Sequence, residues 1–198
     1  MGSDGARLMA VPRQLPNIIT VVRILVAPVF LAMLLIDDGA DGALRWWAAA
    51  LFIVAIATDG VDGWIARRHD IVTDLGKLLD PIADKVLTGF AFIGLSILGE
   101  LPWWITIVVL VREIGITVYR FMVVSDHVLA AAWMGKLKTV AQSVALSLAL
   151  LPLAALVGEW IWWVNGVTMA IAVILTIASG IDYVISEVRG ARRARGGS

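Results

Sequence analysis

Cysteine is absent from this 198-residue chain, which excludes a disulfide framework, a thiolate metal site and a cysteine nucleophile. Charge is scarce as well: 16% of the residues are charged, against about a quarter in a soluble globular domain. That scarcity argues against a disordered chain, a coiled coil and a nucleic-acid-binding domain. Net charge is zero, 16 basic residues balancing 16 acidic ones, so information lies only in where the charges fall. No period of about 20–50 residues repeats, and no low-complexity linker divides the chain, so one domain is expected. What the sequence does have is apolar residues, 60% of the total, with a mean hydropathy of +0.90. Six apolar stretches can be marked, at 17–36, 45–66, 75–98, 102–124, 136–157 and 160–186. One bilayer crossing takes about 20 residues. The expected fold is therefore an all-α integral membrane protein of six transmembrane helices.

Turn chemistry separates the stretches: Asp37-Asp38-Gly39, Arg67-Arg68-His69-Asp70, Gly99-Glu100-Leu101-Pro102, Ser125-Asp126-His127 and Gly158-Glu159. Residues 1–16 read as a juxtamembrane arm, 17–188 as the six-helix domain and 189–198 as a basic tail. The first apolar stretch is too long for a signal-peptide core and has no small-residue cleavage site at its end. Alternating the arms and loops between two sides puts Arg7, Arg13, Arg67, Arg68, Lys77, Arg120, Lys136, Lys138, Arg189, Arg192, Arg193 and Arg195 on one side, and Arg45 alone on the other. By the positive-inside rule both termini are then cytoplasmic, as expected for a multi-pass protein of the inner (cytoplasmic) membrane. Tryptophan agrees independently. Trp46, Trp47, Trp103, Trp104, Trp160, Trp162 and Trp163 all fall at the outer ends of their stretches, as an interfacial belt requires.

Nine charged residues lie well inside the stretches, away from their ends: Arg23, Lys85, Arg112, Asp59, Asp62, Asp80, Asp84, Glu113 and Asp182. An ionised group at mid-bilayer costs at least about 2.5 kcal/mol, so such groups face a protein interior or a wet cavity. All nine fall in the cytoplasmic half of their spans, which points to one cavity open to the cytoplasm. A set of structural ion pairs would suffice for one pair; nine groups at similar depth favour the cavity. In an antiparallel hairpin turning near residues 70–71, Asp59 is level with the neighbourhood of Asp80 and Asp84, and Asp62 lies close by. Asp59 and Asp62 are spaced i, i+3, and Asp80 and Asp84 i, i+4, so each pair shares a helix face. Four such carboxylates need cations, and all-oxygen ligation suits a hard divalent ion: Mg²⁺, Mn²⁺ or Ca²⁺. Two ions sharing these carboxylates would clamp an in-line phosphoryl displacement. Gly63 and Ala66 leave room for a ligand beside the acids, although small residues also serve plain helix packing. Arg67 offers a fork suited to phosphate, and Thr73 or Asp74 can cap the following helix.

Residues 59–84 read DGVDGWIARRHDIVTDLGKLLDPIAD and match, at all eight specified positions, the signature D-x2-D-G-x2-A-R-x8-G-x3-D-x3-D. On this the chain resembles the CDP-alcohol phosphotransferases, and the six-span plan agrees with that family over nearly the whole length. The resemblance implies a homodimeric membrane enzyme that transfers a substituted phosphate from a CDP-linked donor to an alcohol and releases CMP. It implies that Asp59, Asp62, Asp80 and Asp84 hold two divalent cations, Mg²⁺ or Mn²⁺, with Asp84 also the general base. It further implies that Asp62, Gly63, Ala66 and Arg67 contact the CDP moiety, with Thr73 near the same site. The string PNIITVVR resembles the family's first-span pattern, in which Asn17 and Thr20 help to hold the nucleotide.

Three more strings, GKLLDPIADK (76–85), VREIG (111–115) and GKLKTVAQ (135–142), resemble the bacterial phosphatidylglycerophosphate synthases of that family. The acceptor implied is sn-glycerol 3-phosphate and the donor CDP-diacylglycerol. A phosphorylated acceptor needs fixed positive charge beyond the metals, and Arg112, Lys136 and Lys138 can supply it. Their plainer roles are a partner for Glu113 and positive-inside anchoring. Sister enzymes accepting inositol phosphate, phosphatidylglycerol or serine are the alternative. A divalent-cation transporter is an alternative of another class, disfavoured because transporters usually show two related halves and a midplane site.

Overall fold

The computed structural model describes the backbone of residues 15–69, 74–122 and 131–196. Side chains are described over the same residues except 15–20, 59–69, 74–82, 84, 120, 121, 131, 132 and 190–196. Among the described residues the chain is entirely helical: α1 (Leu15–Asp37), α2 (Ala43–His69), α3 (Asp74–Ile97), α4 (Trp103–Met122), α5 (Ala131–Leu150), the short α6 (Ala154–Val157) and α7 (Ile161–Gly196). The all-α expectation holds, and five of the six long helices begin within two residues of an apolar stretch. The fifth begins at Ala131, five residues before the stretch that announced it.

The fifth stretch departs from expectation at its far end too. It was expected to run to 157, but α5 ends at Leu150 and α6 forms separately. Pro152 is the reason: it has no N–H to donate and its ring crowds the preceding turn. Pro28 inside α1 does not break that helix. At the other end of the chain, α7 runs on to Gly196 through the basic segment read as a tail; arginine is a good helix former.

α1 packs against both α2 and α3, α5 packs against α7, and α4 leans on α3 and α7. The shared core holds Phe30, Leu34, Phe52, Leu87, Phe92, Leu95, Leu146 and Leu150, with the rings of Phe30 and Phe52 5.4 Å apart. Gly94 lets α3 approach α1 closely, since a Cβ there would stand 2.7 Å from Leu34 Cδ2 and 2.9 Å from Leu31 Cδ1. Outward faces are apolar as well. Ile107, Val111, Ile114 and Val118 on α4, and Ile171, Ile174, Ile177 and Ile181 on α7, are exposed. Contiguous apolar surface of this kind marks contact with lipid or protein. By length and composition, Ile161–Arg189 is the one segment among the described residues able to cross a membrane.

One end of the bundle is tied by charge. Between α1 and α2 the chain turns through Asp38 (φ 48°), Gly39 (φ 73°) and Asp41 (φ 53°). Asp37 Oδ1 accepts from the backbone N–H groups of Gly42 (3.2 Å) and Arg45 (3.3 Å), satisfying first-turn donors of α2. Arg45, only 2% exposed, donates to Glu100 Oε1 at 2.7 Å in the α3–α4 corner. It also donates to the Leu150 carbonyl at 2.8 Å and the Ala149 carbonyl at 3.1 Å, at the C-terminal end of α5.

Candidate functional site

Glu113, in the middle of α4, collects three cations from three helices. Its Oε2 accepts from Lys85 Nζ of α3 at 2.6 Å, and its Oε1 accepts from Arg112 Nη1 of α4 at 3.0 Å and from Lys138 Nζ of α5. Glu113 and Lys138 are buried, their side chains 8% and 5% exposed. Lys85 and Arg112 reach partly to the surface. One carboxylate against three cations leaves two positive charges in surplus among these side chains. A buried surplus of that size is costly unless an anion visits it.

Helix α7 closes the cluster. Arg112 Nη2 donates to Ser179 Oγ at 3.0 Å, and Ser179 Oγ donates to the Thr176 carbonyl at 3.0 Å. Gln142 Nε2 of α5 donates to Thr176 Oγ1 at 2.8 Å, continuing a buried polar seam between α5 and α7. Arg112 Nε is buried with no hydrogen-bond partner among the described residues, so the guanidinium keeps a donor in reserve.

Of the residues singled out from sequence, the structure thus brings Arg112 and Lys138 together, adding Lys85, one of the nine charged residues within the apolar stretches. Lys136, two residues from Lys138, is exposed and makes no ion pair among the described residues. Asp59, Asp62, Gly63, Ala66 and Arg67 lie on α2, Asp80 and Asp84 on α3, and Asn17 and Thr20 on α1; their side chains lie outside the described residues, as does Thr73 entirely. Backbone placement still links the two groups, because Asp84 directly precedes Lys85 and their Cα atoms are about 3.8 Å apart. Among the described side chains no acidic or histidine group is assembled for a metal. The donor set expected from the sequence is the four aspartates, whose side chains lie outside the described residues; by chemistry it is a purely carboxylate set of the kind hard divalent cations take.

Three features escaped the sequence reading. Arg45 was counted only as the lone outer-side charge, whereas it is buried and paired with Glu100. Ser179 and the Gln142–Thr176 contact carried no signal, since isolated polar residues in an apolar helix read as ordinary packing. A cavity of about 400 Å³ at the Glu100 end, lined by Trp104, Trp162, Asn165 and Met169 among others, includes none of the sequence-derived site residues.

Residues 13–178 match the family model described as CDP-alcohol phosphatidyltransferase. A Mycobacterium tuberculosis protein named "Probable phosphatidylglycerophosphate synthase" is 45% identical over 175 residues, covering 88% of this chain and 82% of that protein. Two proteins named "CDP-diacylglycerol--glycerol-3-phosphate 3-phosphatidyltransferase" are similar as well. That of Bacillus subtilis is 36% identical over 85% of this chain and 92% of its own length. That of Rickettsia prowazekii is 35% identical over 88% of this chain and 96% of its own length.

Proposed function

Because the chain belongs to the CDP-alcohol phosphatidyltransferase family, we propose that it transfers the phosphatidyl group of CDP-diacylglycerol to sn-glycerol 3-phosphate, giving phosphatidylglycerophosphate and CMP. The names of its relatives support the donor and the acceptor. The observation in this chain that carries the acceptor is the pair of surplus positive charges around Glu113. Glycerol 3-phosphate differs from an uncharged alcohol by a phosphate dianion, whose charge equals that surplus. Arg112 and Lys138 are the receptors for it, with Arg112 Nε, which has no partner among the described residues, the donor in reserve. Lys136, exposed on the same helix, is a weaker contributor.

Asp59, Asp62, Asp80 and Asp84 would hold two divalent cations, Mg²⁺ or Mn²⁺, which when bound stabilise negative charge on the phosphoryl oxygens. Asp84 takes the proton of the acceptor hydroxyl on a carboxylate oxygen as that hydroxyl oxygen bonds to phosphorus. The pyrophosphate P–O bond then breaks and its electron pair leaves with CMP. Asn17, Thr20, Asp62, Gly63, Ala66, Arg67 and Thr73 hold the CDP moiety. In the same reading the six long helices cross the inner membrane with both termini in the cytoplasm, the site opens to the cytoplasm, and the enzyme works as a homodimer. The test is CMP release by the detergent-solubilised chain from CDP-diacylglycerol and a panel of labelled alcohols. Glycerol 3-phosphate should be used far better than inositol phosphate, phosphatidylglycerol or serine. Preferential use of any other acceptor refutes the proposal.

A further inference from the structure

We infer that Ser179 of α7 is a positioning residue for acceptor recognition, acting through Arg112; this rests on the proposal that Arg112 receives the acceptor phosphate. Arginine carries a long, flexible stem, and fixing that stem costs rotamer entropy. Here the guanidinium is held at two points from two helices before any ligand arrives. Nη1 is taken by Glu113 at 3.0 Å and Nη2 by Ser179 Oγ at 3.0 Å. Ser179 is itself fixed. It is 3% exposed and spends its own proton on the Thr176 carbonyl, so the oxygen lone pair facing Arg112 can only accept. The next residue completes the cradle. A Cβ on Gly180 would stand 3.4 Å from Arg112 Cγ and 3.8 Å from Nε, so the arginine stem lies across backbone that a glycine leaves open.

The outcome is a planar fork with one N–H of each Nη group anchored, and a buried Nε that has no hydrogen-bond partner among the described residues. Preorganisation of this kind moves the ordering cost out of the binding step. It therefore acts on the concentration of acceptor needed and leaves turnover at saturation alone. Ser179 touches neither substrate in this scheme.

The experiment compares the full-length purified chain with Ser179→Ala, Arg112→Gln and the double variant, measuring kcat and the KM of each substrate. Ser179→Ala should raise the KM for glycerol 3-phosphate about three- to tenfold, the net worth of one typical hydrogen bond. Its kcat and its KM for CDP-diacylglycerol should stay within about twofold of wild type, inside the spread of such measurements. The double variant should be no worse than Arg112→Gln alone, because Ser179 has nothing left to position. An unchanged acceptor KM in Ser179→Ala, where Arg112→Gln raises it, overturns the inference and leaves the acceptor proposal standing. Additive losses in the double variant, or a fall in kcat with both KM values altered alike, also overturn it. An unchanged acceptor KM in Arg112→Gln itself removes the proposal on which the inference rests.

Discussion

Replacing Glu113 with glutamine keeps the shape of the side chain and removes the single negative charge at the centre of the cation cluster. Lys85, Arg112 and Lys138 then face one another with three positive charges and no carboxylate paired with them among the described side chains. Removing one partner of a buried ion pair costs about 3–5 kcal/mol. The Lys138–Glu113 pair qualifies at full weight, being 5% and 8% exposed, whereas Lys85 at 27% is partly screened by solvent. The low end, about 3 kcal/mol, is therefore the expected loss. For a chain of this length that is a fall in melting temperature of about 6–12 °C. Nine tryptophans make thermal unfolding in detergent readable by intrinsic fluorescence. The electrostatic reasoning requires a second result from the same experiment. Inorganic phosphate should stabilise the variant more than the wild type, because a dianion can occupy what the carboxylate vacated. At a hundredfold excess over its dissociation constant it would return about 2.7 kcal/mol. A Glu113→Gln protein that melts within about 2 °C of wild type, and responds to phosphate no more than wild type does, refutes the hub.

Three further outcomes are expected. Chelation should abolish CMP release, and Mg²⁺ or Mn²⁺ should restore it; activity persisting in excess chelator excludes the carboxylate-bound metals. Asp84→Asn should lose about 10²–10⁴ in turnover as the general base is removed, while Lys85→Gln is milder; near-normal turnover in Asp84→Asn moves the base to another residue. Arg45→Met should lower stability by about 1.5–3 kcal/mol, the worth of hydrogen bonds to a charged group, yet leave both KM values intact below the melting transition; a changed KM would mean that the two ends of the bundle are coupled.

The helices were legible because apolar runs and turn residues mark them. Asp37-Asp38-Gly39 and Gly99-Glu100-Leu101-Pro102 end α1 and α3 where their chemistry says they should. Pro152 was passed over because hydropathy measures the side chain and is blind to a missing N–H: Leu150, Leu151 and Leu153 keep the run apolar through the break. The arginines after residue 188 read as a tail for the same reason, although arginine is a good helix former and α7 continues through them. The signature over 59–84 could be read because its spacing is local to two consecutive helices, α2 and α3, while its side chains lie outside the described residues. The cation cluster was legible only in part. Arg112 and Glu113 are neighbours in sequence, but Lys138 lies 25 residues from Glu113 and Lys85 lies 28. Only packing decides that three helices deliver cations to one carboxylate. Ser179 shows the limit most clearly, since its role exists only because α7 lies against α4.

The clamp at Arg45 also carries a schedule. Its side-chain partners lie 55 residues downstream at Glu100 and 105 residues downstream at Leu150. A chain growing at about 5–20 residues per second takes roughly 5–20 s to bring out the last of them. Until Glu100 emerges the guanidinium has none of these partners, and until Leu150 follows it has only the first of them. The α3–α4 corner supplies the first partner and the end of α5 the second, so burial of this one charge follows the order of synthesis. The latch is complete only when the fifth long helix has taken its place.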